Sequence, residues 1–454
     1  MPKSRLLIIG LVAAALGALP LVAPIAAPRD GQSRLSASDL TLLGGIIELV
    51  QHDYVHRVST HDLTEDALKG MLNRLDPHSD YMNEEEFRQT QADISGKFGG
   101  LGIRISSQNG VPKVIAPIDG TPADKAGMQP GDLIVAINSE STRGMGLTKI
   151  VRLLRGDPGT KVTISVVRGS KPPFDVTITR SIIEVASVKS KLESNKIGYV
   201  RITEFGGDTP GDFKKAVENL KRQSGGLKGV VLDLRNDPGG LLTSAVAIGS
   251  DFLSGGNVVS IHGRNPDDDE SYRADIGELL PNIPVVVLIN GASASASEIV
   301  AGALQDRHRA IVMGTQSFGK GSVQTMIPIR GHGALRLTTA LYYTPSGRSI
   351  QGQGITPDKV VEVPKDQQVE GGVMLRESQL QGAFSNPGPI GGKQKQQNKE
   401  PSKNNMQATG PEGHPTYAVP IKNDLIGTDN DAQLKAALNY LQQNSGVTTG
   451  DAPK

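Results

Sequence analysis

Three serines alternate with small residues in Ala292-Ser293-Ala294-Ser295-Ala296-Ser297-Glu298. A lysine between glycines follows 25 residues after the middle one, in Phe318-Gly319-Lys320-Gly321-Ser322-Val323-Gln324. A serine hydroxyl is a weak nucleophile and needs a base beside it. Lysine can be that base when burial disfavours its ammonium form. The amide of Gln324 can hold the lysine nitrogen without adding a countercharge that would raise its pKa. The spacing therefore permits acyl transfer by a serine–lysine pair. It also fits ordinary structure: Ser295 and Glu298 make an S-x-x-E capping box, and Lys320 fits a solvated turn. Local chemistry does not choose among the three serines.

The flanking residues specify what must position this chemistry. Val285-Val286-Val287-Leu288-Ile289 is an apolar run without alternation, as in a strand buried on both faces. Ile299, Val300, Ala303 and Leu304 then recur at helical spacing. A strand ends, small residues turn, and a helix begins; helix starts present N–H groups and positive partial charge to a developing oxyanion. A second strand, 309–314, leads to the lysine loop. Upstream, Gly229 to Leu234 reads as another buried strand. It runs into Arg235-Asn236-Asp237-Pro238-Gly239-Gly240, where glycines let the backbone approach a substrate closely. Asp233 and Asp237 read as structural.

The strings SASASEI, FGKGSVQ and DLRNDPGG resemble the core of the carboxy-terminal processing (tail-specific) proteases. That resemblance implies Ser295 as nucleophile, Lys320 as general base and Gln324 as the residue that positions the lysine. It implies an oxyanion hole from the N–H of Ala296 and that of Gly239 or Gly240. The implied fold is mixed α/β: a ClpP/crotonase-like peptidase core at 184–366, an inserted PDZ domain and an N-terminal helical segment. Tyr343 to Gly352 matches a further string of the family, and the resemblance covers about Leu40 to Val363 plus the last helix.

Residues 97–182 carry the insert. Gly99-Gly100-Leu101-Gly102-Ile103 resembles the carboxylate-binding loop of PDZ domains, where converging N–H groups make an anion nest. The next strand offers an edge to which a peptide can add. With Gly100, Leu101, Gly102 and Ile103 at its start, the domain resembles a circularly permuted PDZ domain. Arg168 resembles the family arginine that reports peptide binding to the active site. Residues 37–96 show helical spacing, broken at Asp76-Pro77-His78-Ser79-Asp80-Tyr81, which reads as a capped turn rather than a metal site. Family resemblance implies dimerisation through these helices.

The remaining sequence narrows the function class. The chain has 454 residues, net charge +1 and no cysteine, so thiolate catalysis and disulfides are excluded and no general attraction to nucleic acid is implied. No zinc pattern occurs and no cofactor is implied. Residues 1–27 place Lys3 and Arg5 before an apolar run, as in a signal peptide or N-terminal anchor. This indicates export to the periplasm or cell envelope, with inner-membrane anchoring as one alternative. Residues 367–429 read as a flexible low-complexity linker and 430–445 as a final helix. The expectation is an exported serine endopeptidase that takes protein substrates by apolar C-termini, as a homodimer, with a lipoprotein adaptor as a candidate partner. Two other classes compete with it: a latent PDZ scaffold, and an acyl-CoA enzyme of crotonase type, which lacks the insert.

Overall fold

A computed structural model describes residues 35–108, 110–118, 120–184, 186–369, 375–390 and 421–444. The expected export segment, 1–27, and most of the low-complexity stretch lie outside the described residues.

Every residue of Val285–Ile289 is buried, as an apolar run without a polar side requires. It forms an inner strand of a six-stranded sheet in the order Val188–Glu193, Ile197–Ile202, Gly229–Asp233, Val285–Ile289, Ile311–Gly314, Lys359–Val360. The first strand is an antiparallel edge and the rest run parallel. The helices Thr209–Ser224, Leu242–Phe252 and Ala296–Asp306 cover one face, packing Phe213, Val217, Ile248, Phe252, Ile299 and Leu304 against Val200, Leu232 and Val287. The helix Ala432–Asn444 covers the other, setting Leu434, Ala437 and Leu441 on Tyr199, Val231, Val286 and Leu288. Each such buried aliphatic side chain stabilises the fold by about 1.5–3 kcal/mol. A buried cation pins this helix as well. Arg235 is fully buried and bonds Asp233 through Nε and Nη2, and Asp431 through Nη1 (2.9 Å) and Nη2 (2.6 Å).

A second, five-stranded sheet is built on the long strand Ala334–Tyr343, which pairs with Ser322–Pro328 on one side and Asn257–Gly263 on the other. Asp80–Met82 also pairs with it, so the N-terminal segment is stitched into this sheet. That segment holds the helices Ala37–Asp53, Thr60–Asn73 and Glu84–Ser95. The first begins with a Ser36–Asp39 capping box and buries none of its own residues. The break at Asp76 is a side-chain turn: Asp76 Oδ1 accepts the N–H groups of His78 (2.8 Å) and Ser79 (2.9 Å).

The insert has its own core. Alternation in Lys161–Val167 buries Val162, Ile164 and Val166, which pack with Leu101, Val114, Ile134, Ile150 and Ile178. The insert is joined to the rest by the pair Lys97–Gly100 and Ser181–Glu184. Arg155, at the end of the helix Leu147–Leu154, lies 4.0 Å above the Phe98 ring and bonds Asp93 of the N-terminal segment at 2.6 Å.

The expected linker, 367–429, is not structureless throughout. Residues 375–390 run along the Ser349–Gly352 segment, with Glu377 fully buried, and Ile421 is buried with Val363 and Ile426. Composition averaged over sixty residues hid a few anchoring side chains.

Candidate active site

The turn after Val285–Ile289 places Ser295 at the head of the helix Ala296–Asp306. Ser295 has φ +55° and ψ −113°, a conformation that costs a non-glycine residue roughly 1–3 kcal/mol and recurs at functional sites. Its residue surface is 7% exposed, and the buried Tyr342 brings its hydroxyl to the serine side chain. The Ala296 N–H makes no hydrogen bond to the described residues. Of the neighbouring serines, Ser293 donates to the Leu234 carbonyl (2.7 Å) and Ser297 to that of Asp237 (3.0 Å). Both hydroxyls are spent on structure, which singles out the middle one.

The Gly239–Gly240 turn closes on Ser295 from the neighbouring strand end. A side chain at Gly239 would begin 2.9 Å from Ser295 Cβ, 2.9 Å from Ala296 N and 2.7 Å from the Ala294 carbonyl, so only glycine fits. Its φ of +99° favours glycine independently. The Gly239 N–H donates to Asp237 Oδ1 at 2.8 Å, whereas the Gly240 N–H makes no hydrogen bond to the described residues. Asp237 was read as structural, and it does hold this turn, yet its Oδ2 is buried without a partner. Burial pushes its carboxyl well above the usual range.

Lys320 arrives on the loop between Ile311–Gly314 and Ser322–Pro328. Burial disfavours its ammonium form and so lowers its pKa. Glu377 opposes this, Arg336 reinforces it, and Glu298 and Asp76 oppose it more weakly. No hydrogen bond joins Lys320 Nζ to Ser295 Oγ among the described residues. The Gln324 amide nitrogen donates to Ser322 (3.0 Å) and Thr338 (3.3 Å), and Thr338 in turn donates to Asp76 Oδ1 at 3.0 Å.

Glu298 organises both halves. It is fully buried. Its Oε2 accepts the N–H groups of Ser295 (2.8 Å) and Lys320 (2.9 Å); its Oε1 accepts the Gly319 N–H (2.6 Å) and the Ser317 hydroxyl (2.5 Å). Burial pushes its carboxyl up to about 7, against those four hydrogen bonds. The S-x-x-E spacing marks this residue as a helix cap. It does accept the N–H of Ser295, but it also reaches across to the lysine loop, which no local spacing signals. Tyr342 is the other neighbour that sequence did not single out, since it is one tyrosine in an alternating strand.

In the insert, Leu101 is buried and its carbonyl accepts the Ala123 N–H. Gly102 has φ +75°, and a side chain there would strike Thr121 at 2.3 Å. Gly100 ends one strand and Ile103 begins the next, so the four residues form one tight crossing. Arg168 is committed elsewhere in the same domain. It makes a two-pronged ion pair with the buried Asp132 (2.7 Å to each oxygen) and donates to the Gly127 carbonyl.

A mostly parallel sheet with a serine at a strained strand–helix turn, a part-buried lysine on the loop tied to it through Glu298 and a separate peptide-binding-type domain defines a PDZ-bearing serine peptidase. Comparison with known proteins agrees. The model for "Peptidase family S41" matches residues 196–361, that for "PDZ domain" matches 113–168, and that for "Activating protease CtpB N-terminal domain" matches 26–86. A carboxy-terminal-processing protease of Bartonella bacilliformis is 48% identical over 347 residues, covering 76% of this chain and 80% of that protein. A Staphylococcus aureus protein described as a "Probable CtpA-like serine protease" is 36% identical over 340 residues, covering 74% and 68%. Among solved structures, the photosystem II D1 C-terminal processing protease is 28% identical, covers 72% of this chain and 94% of that one, and has a TM-score of 0.43. The chain belongs to the carboxy-terminal-processing proteases of peptidase family S41. No helix among the described residues is long and apolar enough to cross a membrane.

Proposed function

We propose that this chain is an exported endopeptidase that captures the free, apolar C-terminus of a protein substrate in its PDZ domain and cleaves the chain at Ser295. Lys320, neutral when it acts, takes the Ser295 proton as the hydroxyl oxygen attacks the scissile carbonyl. The oxyanion is held by the Ala296 N–H and an amide of the Gly239–Gly240 turn. Collapse gives the lysine's proton to the leaving amine and leaves an acyl-enzyme on Ser295. Water activated by Lys320 then releases the acid. Gln324 positions the lysine. Gly100, Leu101, Gly102 and Ile103 hold the substrate carboxylate, and Arg168 stabilises that domain. In this reading residues 1–27 direct export to the periplasm or envelope, and the exposed apolar side of the first helix is the dimer contact.

The observation that carries this reading is the placement of Ser295. It is strained and buried, its hydroxyl is not spent on a backbone carbonyl as those of Ser293 and Ser297 are, and it is pressed against a glycine beside an unbonded helix-start amide. The test is cleavage of an unfolded protein with and without an apolar C-terminal tail, by wild type, Ser295→Ala and Lys320→Ala. Wild type alone should cut, and only the tailed substrate. Cutting by Ser295→Ala would end the assignment.

A latent resting form is the second reading. The Gly239 N–H is taken by Asp237, and Ser295 faces Tyr342 rather than bonding to Lys320. Tail binding by all three proteins without cleavage by any would favour it, with an adaptor as the activator to seek.

A further inference from the structure

The segment 375–390 lies beyond the strand that ends the peptidase sheet, and its residues fall in what composition marks as linker. It nevertheless grips the loop that carries Lys320. Arg376 Nη1 donates to the Ser317 carbonyl (3.2 Å), and the Glu377 N–H to that of Phe318 (3.3 Å). Gln351 bridges the two: its Oε1 accepts the Gly321 N–H (3.0 Å) and its Nε2 donates to Glu377 Oε1 (3.0 Å). From the N-terminal segment, His78 Nε2 reaches both Glu377 oxygens, at 3.0 and 2.9 Å.

Glu377 has no exposed surface and no Lys or Arg among its hydrogen-bond partners. Burying a carboxylate without a permanent cation is costly, and packing alone does not repay it. Buried charges of this kind concentrate at functional sites. Here the charge stands beside the loop of the general base, held by residues from three distant stretches of chain.

We propose that Glu377 is a positioning residue for Lys320: fixed by His78 and Gln351, its carboxylate sets the charge balance around the lysine nitrogen. The segment 375–390 is therefore part of the catalytic apparatus. The proposal rests on the serine–lysine reading. The charged groups that act on Lys320 include Glu377 on this segment, Arg336 on the strand Ala334–Tyr343, Glu298 on the nucleophile helix and Asp76 in the N-terminal turn. Glu377 opposes the effect of burial on the lysine, and Arg336 works with it. A carboxylate kept near a general base stops it from becoming too weak to take the serine proton.

The test is the pH profile of Ser295 acylation by a fluorophosphonate probe. Serine oxygen bonds to phosphorus, fluoride leaves, and Lys320 takes the proton. The acidic limb of that profile reports the lysine. Glu377→Gln, which keeps shape and removes charge, should move the limb to lower pH by about half a unit or more. Glu377→Asp, which draws the charge back, should move it less in the same direction. Arg336→Gln should move it to higher pH. A purely structural role would lower the rate at every pH and leave the limb in place. An unmoved limb in folded Glu377→Gln, or a move in the same direction as Arg336→Gln, overturns the proposal. If Glu377→Gln does not fold, Glu377→Asp decides by the same criterion. Labelling of Ser295→Ala or Lys320→Ala at the wild-type rate would instead overturn the serine–lysine reading itself.

Discussion

Ser295 and Lys320 are tied together through their backbones: both N–H groups end on the same oxygen of Glu298, at 2.8 and 2.9 Å. One carboxylate thus spans the turn after one strand and the loop after the next. Replacing it by glutamine puts an NH₂ group against at least one N–H. Glu298→Gln should lower the rate of Ser295 acylation at least about 100-fold, with a stability loss of roughly 2–4 kcal/mol from the donors left unpaired. Probe labelling and urea melts measure the two effects separately. Wild-type labelling by a folded variant would show that the tie is dispensable.

Lys320→Arg separates charge from basicity. Arginine keeps the cation and much of the length but does not deprotonate in proteins. If Lys320 acts as a base, this variant should lose more than about 1,000-fold in acylation rate, and urea melts read separately the stability lost by fixing a cation where burial disfavours one. Activity within about tenfold of wild type would mean that the lysine acts through its charge.

Gly102→Val should uncouple capture from chemistry. The new side chain meets Thr121 at 2.3 Å in a backbone of φ +75°, so the crossing must open. Binding of an apolar tail peptide, followed by calorimetry, should fall at least about tenfold, while probe labelling of Ser295 stays near wild type. Equal tail affinity would move the carboxylate site away from residues 100–103.

Asp251 offers a stability test away from the site. Its side chain is buried, its Oδ2 has no partner, and Lys214 is 3.3 Å from Oδ1. Burial raises its carboxyl from 3.8 to about 6. The folded state therefore binds more protons than the unfolded state between about pH 4 and 6, so this group's contribution falls as pH rises through that window and stays lost above it. Asp251→Asn should flatten that fall and add about 2 kcal/mol at pH 8. Thermal melts across pH 4–8 measure both, and equal slopes for the two proteins would refute the argument.

The parts legible in sequence are those with local patterns. Val285–Ile289 and Gly229–Leu234 read as doubly covered strands because nothing polar interrupts them, and both are fully buried. The Asp76 turn was visible in its residue types. The hidden parts are the long-range ones. Glu298 looks like a cap until the lysine loop folds onto it. Glu377 sits in a stretch whose composition reads as linker, and its partners His78 and Gln351 lie 299 and 26 residues away. The ion pair of Arg168 with Asp132 is likewise long-range, joining residues 36 apart in sequence.

The ion cluster at Arg235 also has a meaning in time. Its second carboxylate, Asp431, lies 196 residues further along the chain. Until those residues are in place, Arg235 would have to enter the interior with only Asp233 beside it, and one face of the sheet would stay bare. The strands themselves end at Lys359–Val360, but the face behind the strand that leads to Ser295 is covered only when the helix Ala432–Asn444 docks. Docking of that helix is thus a late step in the order of the chain, and the packing beneath Val286 and Leu288 waits for it.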